Sequence, residues 1–431
     1  MRRISQARDF IGEIFMKTTG KPRVMVTGLG AITPLGLNWP LTWQGMLEGR
    51  SGINPITGFD PRPFRCRIAG EVSGFDAKKY MNEKTAERME RYAQFAIAAS
   101  REALAHANLL EQRGDPERVA VIIGTGMGGL REVEQQQLRL MERGPRGLSP
   151  LGILRSIGNT ACGQIAIEHG FQGPTFCPAT ACASGAHALA LALDLLRSGR
   201  ADVALAGGSE AVITPLGIGE FCAIQALSQR NDAPQGASRP FDCGRDGFIM
   251  GEGCGIAVLE TEDHARKRGA RILAEFRGAG MSTDAHHLTC PHPEARGYSQ
   301  AMARALQDAE LSCTDIEYIN AHGTSTRLCD ALEAAAVRKT FDSHCNLLKI
   351  SSTKSMTGHL IGGAGGLEFA VIVQSTIEQK CPPTINLEHA CPECEGMDLV
   401  PKYTKSAAIK AALSNSFGFG GHNVSLAVGA A

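Results

Sequence analysis

The chain has 431 residues, with 44 Lys plus Arg against 44 Asp plus Glu, so its formal charge is zero. No basic excess points to nucleic acid or an anionic membrane, and only 5% aromatic residues leave little platform for stacking bases. Fourteen cysteines in a chain this long read as reduced thiols of a cytoplasmic protein rather than a disulfide framework, and no apolar run reaches the roughly 20 residues needed to cross a bilayer.

The head, through Lys21, mixes Arg2, Arg3, Arg8 and Lys17 with Asp9 and Glu13 and reads as a short extension (1–22), with Met16 an alternative start. A strand is expected at Arg23–Gly30. Its Gly28-Leu29-Gly30 turn superficially suggests a dinucleotide loop, but Thr33 replaces the third glycine and no helical pattern opens there. A polar, then amphipathic, helix is expected over Lys84–Leu104. The strand Val119–Gly124 then runs into the turn Thr125–Gly129.

Pro178-Ala179-Thr180-Ala181-Cys182-Ala183-Ser184-Gly185-Ala186 precedes a segment, His187–Leu196, that is apolar on every face and so belongs to a buried helix. Cys182 at the N-terminus of such a helix faces unsatisfied N–H groups and the positive end of the dipole, which favours a thiolate and hence a nucleophile. A free cysteine among alanines is also, by frequency, a small buried hydrophobe.

Further strands are expected at Val203–Gly208 and Gly255–Leu259. Because these runs do not alternate, their sheet is covered on both faces. The second half repeats the order: strand Ile272–Phe276, helix Tyr298–Ala309, strand Tyr318–Ala321, helix Ala331–Lys339, strand Lys349–Ser352, helix Gly366–Ile377 and strand Ala411–Leu413. Two α/β halves, 23–270 and 271–431, sharing one continuous core are expected, since no Pro/Ser-rich linker divides them.

Chemistry-bearing residues gather where these strands end, which is where open α/β sheets place their sites. They fall in Asn320-Ala321-His322-Gly323-Thr324-Ser325-Thr326, in Ser351-Ser352-Thr353-Lys354-Ser355-Met356-Thr357-Gly358-His359, and in Asn415-Ser416-Phe417-Gly418-Phe419-Gly420-Gly421-His422-Asn423. Together with Thr-Ala-Cys-Ala-Ser-Gly around Cys182, these stretches resemble the β-ketoacyl-acyl-carrier-protein synthases, nearest to synthase II, in order and spacing from Arg23 to Val428.

The resemblance implies the thiolase fold, an α/β architecture of two similar halves in five layers, αβαβα, usually as a homodimer. It implies an acyltransferase that elongates an acyl chain by decarboxylative condensation with a malonyl-carrier protein. No metal or other cofactor is implied, the substrates riding on carrier phosphopantetheine. By motif, Cys182 matches the acyl-accepting nucleophile, while His322 and His359 match the pair that stabilises the enolate. Lys354 matches the family's lysine, with Glu333 as its expected ion-pair partner. Phe419 matches the gating residue whose N–H, with that of Cys182, forms the oxyanion hole. Thr289, Thr324 and Thr326 match the pantetheine channel, and Met127 and Phe221 the acyl pocket.

Lys84, Arg88 and Arg146 match carrier-docking positions, but Glu87, Gly147 and Gln225 stand where the family is often basic. Arg327-Leu328-Cys329-Asp330 likewise departs from the usual Thr-Pro-x-x-Asp. A dedicated carrier, or weaker docking to the housekeeping one, is therefore expected, and a ketosynthase of polyketide or unusual-lipid assembly is a second reading. A heterodimer with a ketosynthase-like partner also stays open. The non-catalytic chain-length partner subunit lacks the nucleophile that Cys182 supplies, and thiolase carries a second cysteine where this chain has Ser416 and Phe417. Cys391-Pro392-Glu393-Cys394 lacks a second C-x-x-C pair for zinc, and His286, His287, Cys290 and His292 fall in the channel loop.

Overall fold

The computed structural model describes residues 21–110 and 114–431. Met16 and the expected extension lie outside them, save Lys21 and Pro22. The first half contributes β1 (Val24–Ile32), β2 (Val119–Gly124), β3 (Thr175–Phe176), β4 (Val203–Glu210) and β5 (Gly253–Thr261), in the sheet order β1-β5-β4-β2-β3. The second contributes β6 (Ala274–Thr283), β7 (Tyr318–Asn320), β8 (Lys349–Ser351), β9 (Ala411–Gly418) and β10 (His422–Gly429), in the matching order β6-β10-β9-β7-β8. Each half has two antiparallel joins followed by two parallel ones, so the same winding occurs twice. The halves meet where β1 pairs antiparallel with β6, Met25 opposite Glu275 and Val26 opposite Ala274.

Helices complete the layers. Helix α1 (Arg91–His106) covers β1 and β5. Helices α2 (Ser184–Arg197), α3 (Arg296–Ala309), α4 (Arg327–Phe341) and α5 (Ala364–Glu378) follow. Helix α3 covers β6 and β10, with α4 packed beside it. Between the halves, α2 and α5 pack on each other. Helix α2 lies against β2, β4 and β6, and α5 against β4, β5, β9 and β10, which yields the five layers αβαβα of a thiolase fold. One cluster of buried side chains runs through this middle layer, from Leu189 and Leu193 of α2 to Leu367 and Val371 of α5 and on to Leu259 and Leu426. Both central helices are therefore apolar on nearly every face.

Gly28 and Gly30 serve packing. A Cβ at either would stand 2.1 Å from a main-chain oxygen of α1, that of Ala103 or Ala99, so glycine lets the helix settle onto β1.

Three expectations shift. Lys84–Leu104 is not one helix: a short turn, Glu83–Ala86, ends before Glu90, whose carboxylate accepts from Tyr92 N at 3.1 Å and caps α1. Strands β3 and β10 are additional. Strand β6 alternates between buried and half-buried residues, whereas β1, β2 and β4 are buried throughout.

Candidate active site

Cys182 sits in a single 3-10 turn, Ala181–Ala183, that leads directly into α2. Ala181 adopts φ +50°, an uncommon conformation for a residue with a Cβ, and the bend aims the next side chain into a cavity. Ser184 locks the bend, its hydroxyl accepting from Thr180 N at 2.9 Å and donating to Ala181 O at 2.7 Å. The second half repeats the device. Ile361, at φ +47°, opens the turn Ile361–Gly363 before α5, and Gly362 stands where the first half has Cys182. Buried Glu210 of β4 ties this second turn to the Thr125–Gly129 turn after β2, accepting from Gly126 N at 2.6 Å and Gly362 N at 3.1 Å.

The remaining groups arrive on the second half. His322 follows β7, Lys354 and His359 follow β8, and Phe419 follows β9. Cys182, His322, His359, Phe419, Thr324, Thr326 and the mouth residue Thr289 all line one cavity of about 400 Å³, together with Phe221 on its inner side. The rings of His322 and His359 stand edge to face with centroids 5.4 Å apart, and Phe248 packs on His359 at 5.5 Å. Phe419 lies 6.4 Å from Phe221, and its main-chain N–H points at the Cys182 thiol. Gly418 permits that approach, since a Cβ there would stand 3.2 Å from Cys182 N and 2.9 Å from Thr180 O.

Both histidines are held neutral. Burial pushes their pKa well below the usual imidazole value, and the Lys354 charge pushes the same way. His322 Nδ1 and both ring nitrogens of His359 are buried and, among the described residues, lack a hydrogen-bond partner. Two neutral imidazoles with free nitrogens beside a cysteine suit an oxyanion that forms only during reaction.

The thiol departs from expectation. Burial pushes Cys182 up to about 12, against the opposing influence of Lys354 and the Phe419 N–H. The helix terminus therefore does not yield a resting thiolate. The sign is testable: with the thiol's pKa raised, the thiolate fraction climbs about tenfold per pH unit through the neutral range. Iodoacetamide labelling of Cys182, followed by peptide mass mapping, is expected to accelerate steadily from pH 6 to pH 9, as an order-of-magnitude slope. A plateau reached near pH 7 would contradict this.

The Lys354–Glu333 ion pair also needs correction. Lys354 Nζ pairs instead with Glu368 of α5, both side chains being 2% exposed. Glu333 is occupied elsewhere: it accepts from His322 N at 2.8 Å, Gly323 N at 2.7 Å and Asn415 Nδ2 at 3.1 Å, so it shapes the histidine loop. Burial raises both carboxyls to about 7. The missed signal lay in α5, where Glu368 is the one acid of the otherwise apolar run Leu367–Val373 and so requires a cationic partner. Glu368→Leu is expected to lower unfolding free energy by about 3–5 kcal/mol, because it leaves a buried charge unpaired. Adding Lys354→Met should recover most of that loss in a urea titration.

Met127 does not line the cavity; it lies half-buried in the cluster behind Phe221. Lys84, Arg88 and Arg146 are exposed, as are Glu87 and Gln225. Among the described residues no cluster of three or more side chains could hold a metal ion, and no helix is long and apolar enough to cross a membrane. His286 and His292, which flank the lining segment 287–291, stand 5.2 Å apart, ring to ring.

Comparison with known proteins bears on this geometry. Sequence profiles described as "Beta-ketoacyl synthase, N-terminal domain" and "Beta-ketoacyl synthase, C-terminal domain" match residues 21–265 and 273–388. A 3-oxoacyl-acyl-carrier-protein synthase 2 of Synechocystis sp. is 48% identical over 412 residues, covering 96% of this chain and 99% of that protein. Among solved structures, the ishigamide ketosynthase/chain length factor superposes with TM-score 0.90 at 32% identity, over 96% of this chain and all (100%) of that one. A type II polyketide synthase acyl-carrier protein in complex with its ketosynthase matches with TM-score 0.89 at 33% identity, over 96% of this chain and 100% of that one.

Proposed function

The chain belongs to the β-ketoacyl synthase family, and on that premise we propose that the cavity carries out both half-reactions of a fatty-acid-elongating condensation. The observation that carries the reading is the convergence of Cys182, His322, His359 and Phe419, from four separate stretches of chain, on one cavity.

In the first half-reaction, Cys182 sulfur attacks the thioester of an acyl-carrier protein. The Cys182 and Phe419 N–H groups hold the tetrahedral oxyanion, and the thiol's proton leaves with the pantetheine sulfur. The acyl chain then lies toward Phe221. In the second, malonyl-carrier protein enters past Thr289, Thr324 and Thr326. His322 and His359 donate to its thioester carbonyl while the carboxylate departs as carbon dioxide. The enolate carbon attacks acyl-Cys182, the cysteine sulfur leaves, and a β-ketoacyl-carrier protein two carbons longer is released. Decarboxylation supplies the carbanion, so the chemistry calls for no metal or redox cofactor. Lys354 remains behind the cavity wall as a fixed positive charge that favours the thiolate and keeps the histidines neutral.

The carrier docks on Lys84, Arg88 and Arg146. Exposed Glu87 and Gln225, at positions where the family is often basic, favour, as a second reading, a carrier dedicated to another pathway. A second copy of the chain pairs along β3, the sheet's edge strand, whose Thr175 and Phe176 are both exposed, with Ile167 nearby at 74% exposure. Sedimentation of the intact chain should give a dimer mass. A reducing, cytoplasmic setting fits the free state of all fourteen cysteines.

Incubation with a panel of acyl-carrier proteins and malonyl-carrier protein should yield products two carbons longer. No elongation with any carrier would overturn the function, and equal kcat/KM with housekeeping and dedicated carriers would remove the second reading.

A further inference from the structure

Apart from the cavity, the described residues hold two close pairs of thiols that the condensation does not use, Cys162 with Cys177 and Cys391 with Cys394, and the second lies in a turn at the surface. Cys391 and Cys394 place their sulfurs 3.3 Å apart, and each residue is almost fully buried, at 3% and 2% exposure. The turn is closed by Cys394 N donating to Cys391 O at 2.9 Å. It is held in place from two sides. Cys391 N donates to Phe241 O at 2.8 Å, and Arg338 of α4 donates to Glu395 O at 2.7 Å and Glu393 O at 3.3 Å. The two sulfurs are thus presented to each other by fixed backbone, and exposed Pro392, Glu393 and Glu395 leave only this tight turn between them and solvent.

We propose that Cys391 and Cys394 form a reversible redox site, in which hydrogen peroxide converts the two thiols to a disulfide and thiol reductants restore them. The two sulfurs share one hydrogen bond; with Cys394 as its donor the bond favours a thiolate on Cys391, and the neighbouring Arg245 charge adds to that effect. Cys391 is therefore the attacking sulfur. Its thiolate attacks one peroxide oxygen, the O–O bond breaks, and hydroxide leaves to become water, giving a sulfenic acid. The Cys394 sulfur then attacks the Cys391 sulfur and the S–O bond breaks. Hydroxide takes up the Cys394 proton as a second water. Two thiols lose two electrons and two protons, and peroxide is reduced to two waters.

The site has a physical route to the pantetheine channel. The Arg245 charge that acts on Cys391 belongs to a guanidinium donating to Thr326 O at 2.9 Å and Arg327 O at 2.6 Å, the segment that lines the channel.

The test uses the full chain with Cys182→Ala, which silences the catalytic thiol. Hydrogen peroxide is expected to lower its intact mass by about 2 Da, reversibly with dithiothreitol, and peptide mapping should place the link between Cys391 and Cys394. Adding Cys394→Ser should convert the loss into a gain of about 16 Da on Cys391, whereas Cys391→Ser should leave Cys394 unmodified. The unsubstituted chain with Cys182 acylated should give the same 391–394 link, which guards against a folding defect in the variants. An unchanged mass, a link mapped to other cysteines, or a 2 Da loss that survives Cys391→Ser would overturn the proposal.

Discussion

Cys182→Ala is expected to abolish elongation, by more than about 10⁴-fold, while leaving release of carbon dioxide from malonyl-carrier protein intact. The first part follows because no other thiol can substitute. Cys290 and Cys329 line the same cavity, but neither stands at the bend that presents Cys182 to the Phe419 N–H. The second part follows because the proposed decarboxylation draws on His322 and His359, which the substitution leaves in place. Intact-mass measurement after exposure to acyl-carrier proteins should show the adduct in the parent chain and none in the variant. Adducts that persist in the variant would remove Cys182 from the centre of the chemistry.

His322→Ala is expected to give the converse phenotype: normal acylation of Cys182, with carbon dioxide release slowed by about 10²–10³-fold, the usual cost of removing one oxyanion donor. The neutrality of the ring sharpens this prediction. The His322 pKa lies well below the ordinary imidazole value, so parent decarboxylation should stay flat as pH falls from 7 to 6, where an unperturbed histidine would already be gaining charge. Isotopically labelled malonyl-carrier protein measures both quantities. Unimpaired release in the variant, or a parent rate that halves near pH 6.5, would contradict the assigned role.

Much of this was legible in the primary structure because it is local. Continuous apolar runs located β1, β2, β4 and β5, and the four short motifs placed His322, His359, Lys354 and Phe419 at strand ends and Cys182 at the start of a buried helix. What escaped depends on distant packing. The partner of Lys354 is set by the register of α5 beneath it, so Glu368 takes the role expected of Glu333. The state of the Cys182 thiol is set by depth, which the helix-terminus argument does not contain. Strand β3 is only two residues long, and β10 begins immediately after the Phe419–Gly421 turn, too close to it for a pattern to separate the two. The break before α1 rests on a cap by Glu90, a residue type whose presence in a polar stretch carries little signal.

The interleaved middle layer has a consequence for how the chain is made. Strands β4 and β5 bury one face against α5, yet α5 begins roughly a hundred residues after β5 ends. At ribosomal speeds of roughly 5–20 residues per second, that face waits on the order of 5–20 s for its cover. During that interval the nascent first half presents an open apolar sheet, a surface that trigger-type chaperones hold and that aggregation exploits. Completion of the second half thus closes the first, and Cys182 meets His322 and His359 only when synthesis is nearly done.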